Sequence, residues 1–243
     1  MKKTINLIGA MVAAAVPPIV EPPKVLVIDI GGTNVKMLMT GQTSTTKFAS
    51  GSKLTPQEMV AGVKQATADW DYALIAIGFP APVVRGSILH EPVNLGAGWT
   101  GFNFAEAFGR PVRISNDATM QALGSYTEGR MFFIGLGTGM GTAMVDNGNA
   151  ISLEIGHLSY KQRTYEEYIG AKGLKRAGQE RWQRRVHRIA EDLCDAFVCD
   201  YVVLGGGNSK ELTSLPPRGR LGDNANAFKG GFRMWETTRE SGA

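Results

Sequence analysis

Apolar runs that each stop at glycine, proline or an amide set the rhythm of this chain. Val25–Ile30 is apolar apart from Asp29 and ends at Gly31-Gly32, the pattern of a strand buried on both faces that enters a turn. A second strand is predicted over residues 35–39, returning after Thr33-Asn34. Thr55-Pro56-Gln57-Glu58 opens a helix, with Thr as N-cap, Pro in the first turn and Glu closing a capping box. Residues 73–79 form another apolar run that ends at Pro80-Ala81-Pro82; residues 86–101 read as loop and 102–108 as a short helix.

The plan then recurs. A strand over 112–115 runs into Asn116-Asp117, a helical pattern covers 118–128, and strands at 131–136 and 143–146 flank a glycine-rich run from Gly135 to Thr142. Helices are predicted over 165–174 and 180–197, a buried strand over 201–204 ending at Gly205-Gly206-Gly207, and a closing helix over 225–240 that contains Gly230-Gly231. Strand, glycine turn, strand thus opens each half, at 28–39 and 133–146. The expectation is an α/β protein of two similar lobes facing each other: a leader over 1–24, a small lobe over 25–114 completed by the C-terminal helix in 225–243, and a large lobe over 115–224.

Composition adds one anomaly. Of 243 residues, 43% are hydrophobic and 20% charged, which excludes disordered, coiled-coil and collagen-like classes. Glycine, however, occurs 31 times, roughly twice its usual share of about 7%. Backbone must turn sharply or approach something closely.

Charge and cysteine narrow the classes further. The net charge is +4, with a dense basic stretch over 172–188 that alternates with apolar positions, as a solvated helix face does; a nucleic-acid patch would interleave aromatics and carry a recognisable motif. Cys194 and Cys199 are too few for a disulfide framework or a four-cysteine zinc site and fit a reduced cytosol. Lys2-Lys3, the apolar run 7–16 and Ala13-Ala14-Ala15 resemble a secretory signal, too short to span a bilayer, which takes about 20 apolar residues. Because the chemistry below needs a cytosolic metabolite, a cytoplasmic protein with no membrane and no nucleic-acid partner is expected.

Three groups of residues carry that chemistry. In Asp29-Ile30-Gly31-Gly32-Thr33-Asn34-Val35-Lys36, turn amides and the Thr33 hydroxyl can face an anion, while the strand-end carboxylate can hold a hydrated divalent cation. The run from Gly135 to Thr142 lacks the glycine spacing of a dinucleotide fingerprint and the Gly-Lys of a Walker A loop, yet offers a hairpin that can press on phosphate oxygens. The clusters Asn116-Asp117 and Glu154-Ile155-Gly156-His157 supply a strand-end carboxylate able to take a hydroxyl proton and groups able to pair with a polyhydroxylated ligand. Singly, Asn116 also reads as an N-cap and His157 as an ordinary histidine.

In order along the chain, Asp29 to Lys36, Gly78-Phe79-Pro80, Asn94-Leu95 with Trp99, Ser115-Asn116-Asp117-Ala118, Gly137-Thr138-Gly139-Met140-Gly141, Glu154-Ile155-Gly156-His157 and Leu204 to Gly207 resemble the ROK family of sugar kinases and repressors, and within it the bacterial glucokinases, including the polyphosphate-using branch. The resemblance, over roughly residues 25–235, implies an actin-like fold of two ribonuclease-H-like lobes with sugar and phosphoryl donor meeting between them. It implies Asp117 as the base for the sugar 6-hydroxyl, and Asn94, Asn116, Glu154, His157 and Glu166 as sugar ligands, with Glu167 the alternative to Glu166. It further implies Gly31, Gly32, Thr33, Lys36, Gly137, Thr138 and Gly139 around the donor phosphates, Asp29 near Mg²⁺ through water, and Gly205, Gly206 and Gly207 on the adenosine side. A homodimer is implied too.

Two departures matter. Many members carry a cysteine-rich zinc motif where this chain has the cysteine-free residues 158–164, so no structural zinc is expected and His157 is free for the sugar. Ala81 stands where Pro-Gly is commoner. The expected activity is transfer of a phosphoryl group from ATP or polyphosphate to the 6-hydroxyl of glucose or a related hexose. The alternatives are a sugar-sensing repressor, which needs a helix-turn-helix that the 24 residues before Val25 do not pattern, and a non-catalytic sugar-binding protein, against which Asp117 and both phosphate turns argue.

Overall fold

The computed structural model describes residues 21–236; the signal-like run 7–16 and positions 237–240 of the expected closing helix lie outside them, and that helix, expected over 225–240, already ends at Arg233. The first lobe contains β1 (Val25–Ile30), β2 (Asn34–Met39), β3 (Thr46–Ala49), α1 (Pro56–Ala66), β4 (Leu74–Phe79), the short hairpin β5 (Val83–Val84) and β6 (Ser87–Ile88), α2 (Phe104–Phe108) and β7 (Val112–Asn116). Helix α3 (Asp117–Ser125) leads across to β8 (Arg130–Leu136), β9 (Met140–Asp146) and β10 (Asn149–Leu153). The hairpin β11 (Ser159–Tyr160) and β12 (Arg163–Thr164) follows, then α4 (Tyr165–Ile169), α5 (Ala171–Ala177), α6 (Gln179–Ala196), β13 (Tyr201–Gly205), β14 (Gly219–Leu221) and α7 (Asn226–Arg233). Two five-stranded sheets, ordered β3-β2-β1-β4-β7 and β10-β9-β8-β13-β14, repeat one mixed topology, as the two glycine-turn units predict.

The capping box of α1 forms as read: the Thr55 N–H donates to Glu58 Oε2 at 2.9 Å and the Glu58 N–H to Thr55 Oγ1 at 3.3 Å. Several boundaries differ from the sequence reading. The helix expected over 102–108 starts only at Phe104, where Asn103 caps it. Strand β9 reaches back to Met140, so the hairpin stays paired down to its glycine turn. The helix expected over 165–174 is two helices, broken at Gly170, where the chain is extended (ψ −176°) and the Ala171 N–H turns to the Gly137 carbonyl at 3.0 Å. The helix expected over 118–128 ends at Ser125 because Tyr126 is extended. Strands β3, β10 and β14 are additions, all on the outer side of a sheet.

Helices α3 and α7 lie together between the sheets, and glycine is what lets them touch. A Cβ at Gly124 of α3 would lie 1.8 Å from the Asn226 carbonyl oxygen, and one at Gly230 of α7 1.7 Å from that of Met120. Gly231 turns the other way, onto Val27 of β1. Arg233 then donates to the Leu123 and Tyr126 carbonyls, satisfying the free end of α3. The glycine pair in the closing helix is therefore a packing face, not a break.

Because the overlapping atoms are backbone, they cannot move aside cheaply. Gly230→Ala is expected to cost about 2 kcal/mol or more in urea unfolding, whereas Gly137→Ala, with open space at its Cβ, stays within about 1 kcal/mol of wild type. Equal losses would mean that the α3–α7 contact does not limit stability.

Candidate active site

Strand alternation decides which residues reach the interlobe cleft. On β1, Leu26, Ile28 and Ile30 join the core with α1, whereas Val25 and Val27 face α3 and α7. Asp29 continues that second face at the C-terminal end of the strand, level with Gly78 of β4. A Cβ at Gly78 would meet the Met120 methyl at 2.2 Å and the Asp117 Cα at 3.7 Å, so bare backbone lets the first turn of α3 settle on the sheet. From the other side Gly141 of β9 gives room for Ala118, 2.7 Å from where a Cβ would stand. The start of α3 is thus wedged between both sheets, with Asp117 at the mouth.

Asn116 is the N-cap of α3 as well as a lining residue. Its Oδ1 accepts the Ala118 and Thr119 N–H groups at 2.9 and 3.3 Å, and its Nδ2 donates to the Ala81 carbonyl at 3.3 Å. One amide hydrogen remains for a ligand. Asp117 Oδ1 accepts the Ala118 N–H at 2.8 Å. Burial pushes the Asp117 carboxyl up to about 7, with the Asp29 and Glu154 carboxylates adding to the push against the Ala118 hydrogen bond. Burial also raises Asp29, against the pull of Lys36, whose Nζ stands 3.9 Å away.

Across the cleft, the turn Ile155–His157 carries His157 between two carboxylates: Nε2 is 3.6 Å from Glu154 Oε2 and Nδ1 is 3.7 Å from Glu166 Oε1. Both gaps exceed a hydrogen bond. Burial and Glu166 raise the Glu154 carboxyl, and His157 lowers it, burial being the largest effect. Glu166 Oε2 would lie 2.5 Å from a Cβ at Gly139, so that glycine clears space for a side chain rather than for phosphate. Glu167 is occupied differently, closing a capping box in which the Thr164 N–H donates to its Oε2 at 2.9 Å.

The sequence-predicted residues fall into linked cavities. Asn94, Asn116, Asp117, Glu154, His157 and Glu166 all line one cleft of about 810 Å³. Asp29, Gly31, Gly32, Thr33, Lys36 and Gly137 surround a second of about 520 Å³, and Thr138 lines both. Gly207 joins the second to a third, of about 420 Å³, walled by Gly206, Lys210 and Asp223. Gly205 is the exception: it lines none of them, and its bare face meets the Phe133 ring. Gly135 and Gly141 likewise serve packing.

Two lining residues carry no sequence signal. Glu91 accepts three consecutive amides, from Gly98, Trp99 and Thr100 at 3.0–3.2 Å, which closes the loop that presents Asn94 above Gly32. Lys172 reaches the cleft only because the break at Gly170 redirects α5. Asn208, directly after the triple glycine, ties the two donor-side turns by donating its Nδ2–H to the Gly137 carbonyl at 2.9 Å.

A family model described as ROK family matches residues 25–173. The chain belongs to the ROK family. Polyphosphate glucokinase of Mycobacterium tuberculosis (strain CDC 1551 / Oshkosh) is 26% identical over 213 residues, covering 78% of this chain and 80% of that protein. Glucokinase of Halalkalibacterium halodurans is 32% identical over 167 residues, 54% of this chain and 48% of that one. Among solved structures, the inorganic polyphosphate/ATP-glucomannokinase of Arthrobacter sp. strain KM superposes with a TM-score of 0.73 at 22% identity, over 86% of this chain and 97% of that one. A ROK glucokinase from Streptomyces griseus, in complex with glucose and AMPPNP, superposes with a TM-score of 0.67 at 18% identity, over the same 86% and 97%. The two-lobe, actin-like fold of ROK sugar kinases is therefore the fold of this chain.

The site stores repulsion that shows in stability. A carboxyl raised from 3.8 to about 7 on folding destabilises the folded state as pH rises through that interval, by at most about 4 kcal/mol above it. Asp117→Asn keeps the acceptor for Ala118 and removes the charge. It is expected to raise the melting temperature at pH 8 and leave it nearly unchanged at pH 4; an equal shift at both values would refute the buried-charge account.

Proposed function

We propose that this ROK chain is a hexose kinase that transfers a phosphoryl group from ATP or polyphosphate to the 6-hydroxyl of glucose or a related hexose. The observation that carries the reading is the position of Asp117, whose carboxyl faces the polyhydroxyl-suited cleft where Thr138 joins that cleft to the glycine-walled donor pocket. Glu154, Glu166 and His157 offer acceptors and a donor at spacings that a sugar hydroxyl, which both gives and takes a hydrogen bond, can bridge. The likeness to polyphosphate glucokinase and glucokinase supports the same assignment.

Phosphoryl transfer asks little covalent chemistry of a protein and much positioning. Asp117 receives the hydroxyl proton as the oxygen attacks, and a carboxyl near 7 keeps both base and conjugate acid accessible at neutral pH. The Gly31 N–H is spent within the first glycine turn on the Asn34 carbonyl at 3.0 Å, which leaves the Gly32 and Thr33 amides and the Thr33 hydroxyl, with Lys36, to meet the donor's charge. Among the described residues no group of three or more His, Cys, Asp or Glu side chains converges on one point. Asp29, at the edge of the donor pocket, is a carboxylate suited to holding Mg²⁺ through water; when bound, the ion would neutralise charge developing on the transferred group. Closure of the lobes would exclude water from the donor.

Purified protein with glucose and Mg²⁺ is expected to form glucose 6-phosphate from ATP or polyphosphate, each supplied separately; no product from either donor with any of several hexoses would sink the reading. Asp117→Ala is expected to abolish turnover while glucose binding persists, and near-normal kcat in that variant would move the base elsewhere. In wild type, kcat/KM is expected to fall about tenfold per pH unit below about 7, because the base must be ionised. A flat profile from pH 5 to 8 would exclude Asp117.

A further inference from the structure

Apart from Lys172, the basic stretch of the sequence is left unused by the cleft, and the structure gathers four of its cations into a groove. Arg181, Arg184, Arg185 and Arg188 stand at i, i+3, i+4 and i+7 on α6, one stripe of one helix, and line a groove of about 230 Å³ with Lys161 and Tyr168. Like charges at those spacings repel and weaken a helix. Arg184 and Arg188 are offset by Glu180 and Asp192, each one turn away. Arg181 and Arg185 form no ion pair with the described residues, and the Arg185 guanidinium packs over Tyr168 with its Nη1 buried. Five cations line the groove and two carboxylates offset them, an excess of positive charge that an anion in the groove would relieve.

We propose that this groove binds the distal part of an inorganic polyphosphate chain whose terminal phosphate occupies the donor pocket. The proposal deepens the donor side of the kinase reading and rests on it. Three observations select this ligand. Helix α5 begins at Ala171, a wall of the donor pocket, and after its seven residues and the turn at Gly178 the chain enters α6, so the arginine stripe follows the pocket in the chain by one two-turn helix. The aromatic faces are already covered: Lys161 lies over Tyr160 at 5.3 Å, Arg185 over Tyr168 at 5.1 Å, and Tyr160 is stacked on Tyr165. Single-stranded nucleic acid would need such faces for its bases, whereas a chain of phosphates needs only the cations. A second copy of this chain would set the same cations against each other.

The test separates binding from turnover. Equilibrium binding of long-chain polyphosphate, tripolyphosphate and single-stranded RNA is measured on the full chain, for wild type, the exposed triple variant Arg181→Ala/Arg184→Ala/Arg188→Ala, and Arg185→Gln, each checked by its melting temperature. Expected is a loss of about tenfold or more for long-chain polyphosphate in both variants and a shallower salt dependence, with tripolyphosphate, short enough for the donor pocket, unchanged. Unchanged long-chain affinity in a folded triple variant overturns the proposal, as does an equal loss for tripolyphosphate. RNA bound as tightly as polyphosphate, and weakened by the same substitutions, overturns the choice of ligand. If the groove variants lose long-chain binding while wild type phosphorylates glucose only from ATP, the groove assignment stands and the polyphosphate-donor reading fails.

Discussion

The backbone contact between α3 and α7 is the constraint on which the rest of the molecule depends. Gly124 and Gly230 let each helix touch the other's backbone, and Gly231 seats α7 on Val27. Helix α3 is then clamped from three sides, because Gly78 admits it to the first sheet and Gly141 to the second. Its N-terminus has one place to go. Asn116 ends β7 and caps α3 in a single residue, so the abrupt change from strand to helix projects Asp117 where the sheets part.

That placement has an electrostatic consequence. Asp29, Asp117 and Glu154 are each held above the ordinary carboxylate range, and in each burial is the leading cause. Close to them stand Lys36 and His157, neither in hydrogen-bonding contact. An acceptor-rich pocket of this kind is relieved by ligands that bring donors or positive charge. A polyhydroxylated ligand would bring the first and a hydrated cation the second, so either would answer the same imbalance. The donor pocket sets against its one carboxylate, Asp29, a lysine, a hydroxyl and glycine-rich backbone.

Much of this was legible in the sequence, in proportion to how local its cause is. Apolar runs ending at glycine or proline mark β1, β4, β8 and β13, since a strand buried on both faces needs no partner to declare itself. Of the four edge strands β7 was expected, whereas β3, β10 and β14 stayed hidden because a half-exposed strand such as Thr46–Ala49 has no distinctive pattern, although Asn147-Gly148 does mark the turn into β10. Every residue assigned to the sugar lines one cleft, because each lies at the end of an element that the motifs punctuate. Glu91 was invisible: its partners are three backbone amides of a loop, and no side-chain pattern records them. The glycine excess was legible but only half understood. Gly31, Gly32, Gly137, Gly206 and Gly207 line the donor side, whereas Gly78, Gly124, Gly141, Gly205 and Gly230 make room for side chains and helices.

The two walls of the cleft are not equally rigid, and the segment after His157 shows why. Where the family resemblance would place a cysteine-rich zinc motif, this chain has the hairpin of β11 and β12. It is held by the Tyr160 ring stacked on Tyr165 at 4.6 Å, by its edge contact with Tyr168 at 5.4 Å, and by the Thr164–Glu167 capping box. Two aromatic pairs at about 1 kcal/mol each and one cap at about 1 kcal/mol hold far less than a structural zinc, worth about 10 kcal/mol or more. Asp117 is fixed by backbone packed on backbone, which no thermal motion of side chains relaxes. Glu166, one residue into the cap, is fixed by aromatic packing and its approach to Gly139. The wall that carries Asp117 is thus the preorganised one and the wall that carries Glu154, His157 and Glu166 the softer.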